Sequence, residues 1–253
     1  MGDPLREEFA RQAQHMAAAP AFHAADVLER FTRALGDSPS DRVLDVACGP
    51  GIVAEVLAPH VRQVVGIDTT PEMIRLARER FVRAGLANGR FELAAAEQLP
   101  FEDGAFDQTV TRLSFHHLAD VPAALRAMQR VLRRGGRLAA ADIIAVDDAG
   151  KAALHNALER LRDPSHVRFC ARGELLGLMD GAGFRVTHEE SWEQRRSFDE
   201  WAAIVADPGR TQPLEGVMRA LARAGQDAGI SLREEDGNLV FTHTWLMVIA
   251  EPR

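Results

Sequence analysis

Tyrosine is absent from the 253-residue chain, and only two cysteines and one lysine occur in it. Cys48 and Cys170 can form at most one disulfide and cannot form a four-cysteine metal site, which fits a reducing compartment. Because no phenol is available, any proton transfer that a tyrosine usually performs must be done by histidine, aspartate or glutamate.

An excess of positive charge and long apolar runs are also lacking. The 30 basic residues and 37 acidic residues give a formal net charge of −7, so nothing favours a nucleic-acid partner. No run approaches the ~20 apolar residues of a membrane span, and Met1 to Glu8 lacks the basic-then-apolar order of a signal peptide. We therefore expect a cytoplasmic protein without a membrane span.

Length and hydrophobic patterning predict one folded domain, residues 1–253, at roughly 150 residues per domain. Hydrophobic residues make up 46% of the chain and charged residues 26%, as in ordinary globular proteins. Between Arg42 and Ile144, short apolar runs alternate five times with helical patterns. Such alternation predicts an α/β fold with a mostly parallel, doubly wound sheet.

The chain beyond residue 148 is less regular in its pattern. We expect helices near residues 151–161 and 173–182, a strand from Phe184, two polar-faced helices within 189–229, and a long strand over 239–249. The first 38 residues are also helical and amphipathic in pattern.

A glycine-rich turn follows the first predicted strand and lies between two acidic residues. Asp45 lies inside that strand, Gly49 and Gly51 form the turn before a helix, and Asp68 ends the second strand. The glycines allow backbone amides to approach an anion at the helix N-terminus. Asp68 could accept both ribose hydroxyls, whereas Asp45 would repel a pyrophosphate and hold an ammonium group. This combination favours a zwitterion attached to a nucleoside.

A dinucleotide is the alternative ligand for this turn. Gly49, Gly51 and Ala54 match the pattern G-x-G-x-x-A, which taken alone indicates a dinucleotide-binding fold and a nicotinamide-dependent oxidoreductase. The position of Asp45 and the lack of a tyrosine or lysine base beside the sheet disfavour that reading.

Six motifs in order make the chain resemble the class I S-adenosylmethionine-dependent methyltransferases, specifically the ubiquinone/menaquinone-biosynthesis type small-molecule group. The motifs are Val43-Leu44-Asp45-Val46-Ala47-Cys48-Gly49-Pro50-Gly51, Gly66-Ile67-Asp68, Ala96-Glu97-Gln98-Leu99-Pro100-Phe101, Phe106-Asp107, His116-His117-Leu118-Ala119-Asp120 and Val131-Leu132-Arg133-Arg134-Gly135-Gly136-Arg137-Leu138. The resemblance covers about 100 residues. It implies a seven-stranded sheet that ends in a reversed hairpin, with helical cap insertions.

The resemblance also implies a division of the chain and a set of cofactor-binding residues. Residues 39–147 would form the cofactor-binding core, 1–38 and 148–230 the cap, and 231–253 the final strand. S-adenosyl-L-methionine, or its product S-adenosyl-L-homocysteine, would be held by Asp45, Ala47, Gly49, Gly51, Asp68, Thr69, Met73, Ala95, Ala96, Glu97 and Arg112. Ala95 stands where relatives usually carry Asp or Asn, so a side-chain acceptor for the adenine amino group is missing.

Histidines are the candidate bases. By the resemblance His117 faces the acceptor, and His15 in the N-terminal segment is a second candidate. The sequence places His116 and His117 at the end of a predicted strand. Side chains of consecutive strand residues point to opposite faces, so we expect only one of the two in the pocket. A histidine base would give a limb in the pH profile near its ordinary pKa of ~6.5.

Further candidate acceptor contacts are His116 in the core and the polar cap residues Asn156, Arg162 and His166. No metal is expected, because neither the histidine pair nor Asp142 with Asp147 and Asp148 forms a recognised ligand pattern.

The sequence therefore predicts methyl transfer from S-adenosylmethionine to a small, partly hydrophobic organic acceptor at carbon, nitrogen or oxygen. The alternative is a protein that binds the cofactor on the same fold and acts as a cyclase or accessory protein. The identity of the acceptor and homo-oligomerisation remain open at this point.

Overall fold

The structure is a computed structural model that describes residues 4–253, with side chains from residue 6 onward. Residues 1–3 of the expected N-terminal cap lie outside the described residues. The helices are α1 Pro4–Ala18, α2 Ala25–Leu35, α3 Ile52–Leu57, α4 Pro71–Arg83, α5 Val121–Val131, α6 Ala149–Arg162, α7 Arg172–Gly181, α8 Phe198–Val205 and α9 Pro208–Arg223. The strands are β1 Ser38–Val46, β2 Val61–Asp68, β3 Gly89–Leu93, β4 Phe106–Arg112, β5 Leu132–Ile144, β6 Phe184–Ser197, β7 Arg233–Glu235 and β8 Asn238–Pro252.

The strands form one mixed sheet in the order β3-β2-β1-β4-β5-β8-β6, with β7 paired to β8. The first five strands in this order are parallel to one another. The strand β8 runs antiparallel between β5 and β6. The predicted α/β fold with a mostly parallel sheet and a reversed hairpin is confirmed, and the short β7 adds an eighth strand to the predicted seven.

Helices cover both faces of the sheet because the central strands are apolar on both sides. One cluster of buried side chains joins the sheet to α5 and α7, and another joins it to α2, α3 and α4. The helix α5 shows how the sequence encodes this packing. Leu125, Met128 and Val131 are buried on one face, and the side chain of Asp120 caps the helix by accepting from the backbone N–H of Ala123.

The long edge strand β6 differs from the sequence prediction, which gave a helical pattern from Glu189. The strand continues to Ser197 and pairs with β8 along that length. Its residues alternate between exposed and half-buried, with charged side chains frequent among them. Such an edge strand lacks the continuous apolar run by which central strands are found.

The helices α1, α6, α8 and α9 pack against one another, against α4 and against the strands β6, β7 and β8. The helix α1 contacts α4 and α8, and α6 contacts α9. A separate apolar cluster there includes Leu158, Trp201, Met218 and Phe241. Among the described residues, no helix is both long and apolar enough to cross a bilayer.

Candidate cofactor and acceptor site

A cavity of about 810 Å³, the larger cavity, opens where β1, β2 and β4 end. Its wall combines the ends of these strands with residues of α1 and with Pro164, Ser165 and Val167. In parallel sheets, ligands bind at the carboxyl ends of the strands because the loops and helix N-termini there converge. The volume lies within the ~300–1,000 Å³ range of small-molecule sites.

The turn after β1 is built from left-handed backbone. Ala47, Gly49 and Gly51 have φ values of 54°, 52° and 77°. A Cβ placed on Gly49 would meet nothing within 4 Å, so its backbone faces open space in the larger cavity. A Cβ on Gly51 would lie 2.9 Å from the Cβ of Ala77. Gly51 therefore permits α4 to pack against the turn and does not line the cavity, contrary to its expected role.

Asp45 is a buried carboxylate in the wall of the larger cavity. Its side chain is 2% exposed, and its Oδ2 has no hydrogen-bond partner among residues 4–253. Burial raises the pKa of Asp45 to about 7, although the nearby Arg112 guanidinium opposes the shift. Burial likewise lowers the pKa of Arg112 to about 10, and Arg112 donates to the backbone oxygen of Phe22 at 2.9 Å. The site thus holds a desolvated guanidinium beside a desolvated carboxyl group whose pKa lies near neutral pH.

Asp68 is held by backbone donors at the end of β2. Its Oδ2 accepts from the N–H of Gly49 at 3.0 Å and its Oδ1 from the N–H of Thr70 at 2.9 Å. Burial raises the pKa of Asp68, and these donors oppose the rise. Each carboxylate oxygen keeps acceptor capacity for a further donor. Thr70 occupies the position before α4, but its hydroxyl makes no capping bond.

Most of the other expected cofactor-binding residues line the same cavity. They are Ala47, Thr69, Met73, Ala96 and Glu97. Ala95 is not part of the wall, and Ala94 takes its place. Cys48 also lines the cavity, and burial raises the pKa of its thiol well above the usual value, so the thiol stays protonated.

The two adjacent histidines contradict the sequence prediction. His116 and His117 lie in a 3₁₀-helix, Phe115–His117, which follows β4, and not at a strand end. Their ring centroids are 4.1 Å apart, because successive residues of a helical turn do not point to opposite sides as strand residues do. Both rings border a cavity of about 60 Å³, the inner cavity, and His117 borders the larger cavity as well.

The ring of His117 is oriented by one loop. Its Nδ1 lies 3.0 Å from the backbone oxygen of Ser165 and 3.1 Å from the hydroxyl oxygen of Ser165. That hydroxyl donates to Oδ1 of Asp163 at 2.6 Å. Two acceptors therefore face Nδ1, which assigns the proton to Nδ1 and leaves Nε2 as the basic nitrogen.

Electrostatics keep His117 neutral near pH 7. Burial, and then the charge of His116, lower the pKa of His117 to about 4, so the ordinary value near 6.5 expected from sequence does not apply. Burial alone would raise the pKa of Asp163, but His117, Arg162 and the donors of Ser165 together lower it. Asp163 is therefore an anion that faces the neutral ring through Ser165.

His116 has a different environment. Its Nδ1 lies 2.6 Å from Oδ1 of Asp142, and its backbone N–H donates to Oδ2 of Asp142 at 3.3 Å. Asp142 on β5 thus fixes the turn that presents His117. Of the proposed acceptor contacts, His116 borders only the inner cavity.

Of the remaining candidate site residues, one borders a cavity and the others do not. Arg162 borders the inner cavity. Asn156 and His166 border neither cavity; His166 Nε2 and the N–H of Phe169 both contact Oδ1 of Asn156, at 2.8 Å and 2.7 Å. They hold the loop after α6 against that helix. His15 is exposed on α1 and borders neither cavity, because the inward positions of that helix near it are Gln12 and Met16.

A third arrangement was missed by the sequence analysis. His155 and Glu159 on α6 and His243 on β8 bring three metal-ligand atoms within 4.8 Å of one another, all buried. The i,i+4 spacing of His155 and Glu159 was visible in the sequence, but nothing local indicated that His243 would join them.

Comparison with known proteins agrees with this architecture. A family model described as "Methyltransferase domain" matches residues 44–140. The uncharacterized methyltransferase YcgJ of Bacillus subtilis is 36% identical over 160 residues, which cover 63% of this chain and 63% of YcgJ. The uncharacterized protein YafE of Escherichia coli is 33% identical over 198 residues, which cover 76% of this chain and 92% of YafE.

Solved structures extend the similarity to nearly the whole chain. The crystal structure of YcgJ from Bacillus subtilis superposes with a TM-score of 0.83 at 26% identity, covering 90% of this chain and 99% of that one. A putative methyltransferase from Bacillus halodurans gives a TM-score of 0.84 at 26% identity, covering 90% and 100%.

Proposed function

Because the chain belongs to the class I S-adenosylmethionine-dependent methyltransferases, we propose that it binds S-adenosylmethionine in the larger cavity and methylates a small organic acceptor beside it. Asp45 carries this proposal. A buried carboxylate whose Oδ2 has no hydrogen-bond partner among the described residues is costly to maintain unless a ligand supplies the missing donor. The amino group of a methionine moiety is such a donor, and Arg112 offers a cation to its carboxylate.

The distribution of the acidic groups fits the whole nucleoside. Asp68 has acceptor capacity for ribose hydroxyls, and the open backbone at Gly49 accepts close approach of a ligand. Asp45 would disfavour the pyrophosphate of a dinucleotide in the same turn. S-adenosylmethionine can thus contact both carboxylates, whereas Asp45 would repel the pyrophosphate of NAD.

The same distribution suits methyl transfer. S-adenosylmethionine supplies an electrophilic methyl group on a sulfonium whose positive charge disappears as the methyl leaves. A carboxylate directly against that charge would stabilise the ground state more than the transition state. In the proposed binding mode, Asp45 and Asp68 hold the amino and ribose ends. The chain then contributes orientation and exclusion of water.

The acceptor would lie between the cofactor and the cap. Apolar side chains on that side of the larger cavity include Phe9, Met16, Phe22 and Val167. They suit a partly hydrophobic molecule. His117, with Nε2 unprotonated, is the proposed base that removes a proton from an oxygen or nitrogen acceptor. The division of the chain into core and cap segments remains part of this proposal.

The test has two parts. Native mass spectrometry of the purified protein should detect S-adenosylmethionine or S-adenosylhomocysteine and a co-purifying acceptor. Incubation of that acceptor with S-adenosylmethionine should then release S-adenosylhomocysteine and a product heavier by one methylene. Cofactor binding with an altered but unmethylated molecule would support the cyclase alternative, and occupancy by NAD would contradict the proposal.

A further inference from the structure

Three side chains that can ligate metals meet between α6 and β8, behind the inner cavity. His155 and Glu159 are one helical turn apart on α6, and His243 lies on β8. The side chains are 3%, 1% and 3% exposed, respectively. Glu159 and His243 also border the inner cavity. None of the three has a role in the proposed cofactor or acceptor contacts.

The distances between the three ligand atoms are compatible with binding of a shared ion. Oε1 of Glu159 lies 3.2 Å from Nε2 of His243 and 3.7 Å from Nε2 of His155. Neither Nε2 has a hydrogen-bond partner among residues 4–253. Two ligands on a tetrahedral ion with bonds of ~2.1 Å are separated by about 3.4 Å. The two measured separations bracket that value.

The surroundings of Glu159 resemble the outer contacts of a metal ligand. Its Oε2 lies 3.0 Å from Nη2 of Arg162, on the side away from the histidines' contacts. Its Oε1 accepts from Nε1 of Trp201 at 3.2 Å and has a second lone pair. Hydrogen bonds of this kind orient ligating carboxylates. The carboxylate thus presents one oxygen to the histidines and the other to Arg162.

We propose that His155, Glu159 and His243 bind one divalent transition-metal ion, of which Zn²⁺ and Co²⁺ are the probes. Two imidazoles and one carboxylate suit these ions, whereas Mg²⁺ and Ca²⁺ prefer oxygen ligands.

The charges around the site define the fourth ligand. The ion would add two positive charges beside Arg162, while Glu159 contributes one negative charge and Arg196 also borders the inner cavity. An anion is therefore required in the open position. The inner cavity, at about 60 Å³, has room for a hydroxide or for one anionic oxygen group of a small molecule. Its wall shares Met16, Phe22, Leu113 and His117 with the larger cavity, which indicates a route for that group.

A buried polar network without a metal is the competing explanation. In that case Glu159 is an ion-pair partner of Arg162 and the histidines act as its donors. The two explanations predict different results when an ion is added to the metal-free protein without any nucleoside. The metal site predicts binding of one ion, and the polar network predicts none. Failure of this test would therefore leave the proposed methyl transfer unaffected.

The experiment is isothermal titration of the full-length, chelator-treated protein with Zn²⁺ at pH 7.5. We expect one equivalent to bind, and Glu159→Gln and His243→Gln each to weaken binding at least ~100-fold, since loss of even an outer contact costs 10–100-fold. His188→Gln, at an exposed position of β6, is the matched control and should bind as the wild type does.

A Co²⁺ titration of the wild type keeps the test valid if a variant fails to fold, which circular dichroism would reveal. Intense visible bands of four- or five-coordinate cobalt are expected. The proposal is overturned by absence of a one-equivalent Zn²⁺ site, by binding that persists in folded Glu159→Gln or is lost equally in His188→Gln, or by the weak spectrum of hydrated cobalt.

Discussion

The larger cavity and the His155–Glu159–His243 cluster depend on different parts of the sequence. The residues that hold the proposed cofactor lie mostly between Asp45 and Met73, on consecutive strands and turns. The cluster joins α6 to a strand near the end of the chain. Local backbone geometry creates the first site, whereas tertiary packing creates the second. Short motifs therefore reveal the first and conceal the second.

The two regions also differ in how they manage buried charge. In the larger cavity Asp45 has an oxygen without a partner among the described residues, and burial raises its pKa to about 7. Burial alone would raise the pKa of Glu159, but Arg162, His155 and His243 lower it well below the usual range. The first carboxylate requires a ligand to be stabilised in its charged form, whereas the second has a cation of the protein, Arg162, 3.0 Å from its Oε2.

The largest effect is expected from His117→Asn. Loss of a general base should lower turnover by ~10²–10⁴-fold and leave cofactor affinity within a few-fold. In the wild type the rate should fall only as the pH approaches the lowered pKa of about 4, because above it Nε2 is unprotonated. Steady-state rates with the identified acceptor provide the measurement. His188→Asn is the matched control, and wild-type turnover in folded His117→Asn would remove the histidine from the chemistry.

Asp68→Asn tests the ribose contact. Hydrogen bonds to a charged group contribute about 1.5–3 kcal/mol, so S-adenosylhomocysteine affinity should fall by one to two orders of magnitude. Calorimetric titration is the measurement, with Asp103→Asn as control, because that carboxylate is 80% exposed and pairs only with Arg130 among the described residues. Unchanged affinity in folded Asp68→Asn would show that ribose is held elsewhere.

Asp45 should make binding depend on pH. The ammonium group of the ligand pairs only with the ionised form of Asp45. When the pH is below the pKa of Asp45 in the free protein, about 7, binding therefore releases a proton. S-adenosylhomocysteine affinity should fall by up to ~tenfold per pH unit below 7 and be flat above it. Titrations at pH 6 and pH 8 in two buffers measure this. Asp45→Asn should bind weakly without that dependence, and equal wild-type affinities at both pH values would contradict the assignment.

Asp45→Asn should also stabilise the ligand-free protein at high pH. The folded pKa is raised from 3.8 to about 7, so the folded state binds more protons and stability falls as the pH rises through that interval. At ~1.4 kcal/mol per pKa unit the upper limit is roughly 4 kcal/mol. Because a buried amide keeps part of this cost, we expect Tm to rise by a few degrees at pH 8.

Thermal melts of the wild type and Asp45→Asn at pH 5 and pH 8 would measure this effect. The difference in Tm should be larger at pH 8. A variant that is less stable than the wild type at pH 8 would mean that Asp45 is already satisfied without a ligand.

The sequence predicted the glycine-rich turn after β1 well because strand, turn and helix each have local signals there. The exceptions depend on contacts with distant elements. Gly51 is needed because Ala77 of α4 packs against it. The histidine pair lies on a 3₁₀-helix because Leu113, with a φ of 54°, turns the chain out of the extended conformation after β4. The edge strand β6 was missed because a polar strand lacks an apolar run. His243 could not be connected to α6 without the sheet register.

The most direct test of the central claim is a calorimetric titration of the wild type with S-adenosylhomocysteine and, separately, with NAD. We expect one equivalent of S-adenosylhomocysteine to bind with micromolar affinity, with proton release below pH 7, and NAD not to bind. Preferential binding of NAD, or the absence of S-adenosylhomocysteine binding by folded protein, would contradict the assignment of Asp45 and Asp68 to the two ends of a methyl donor.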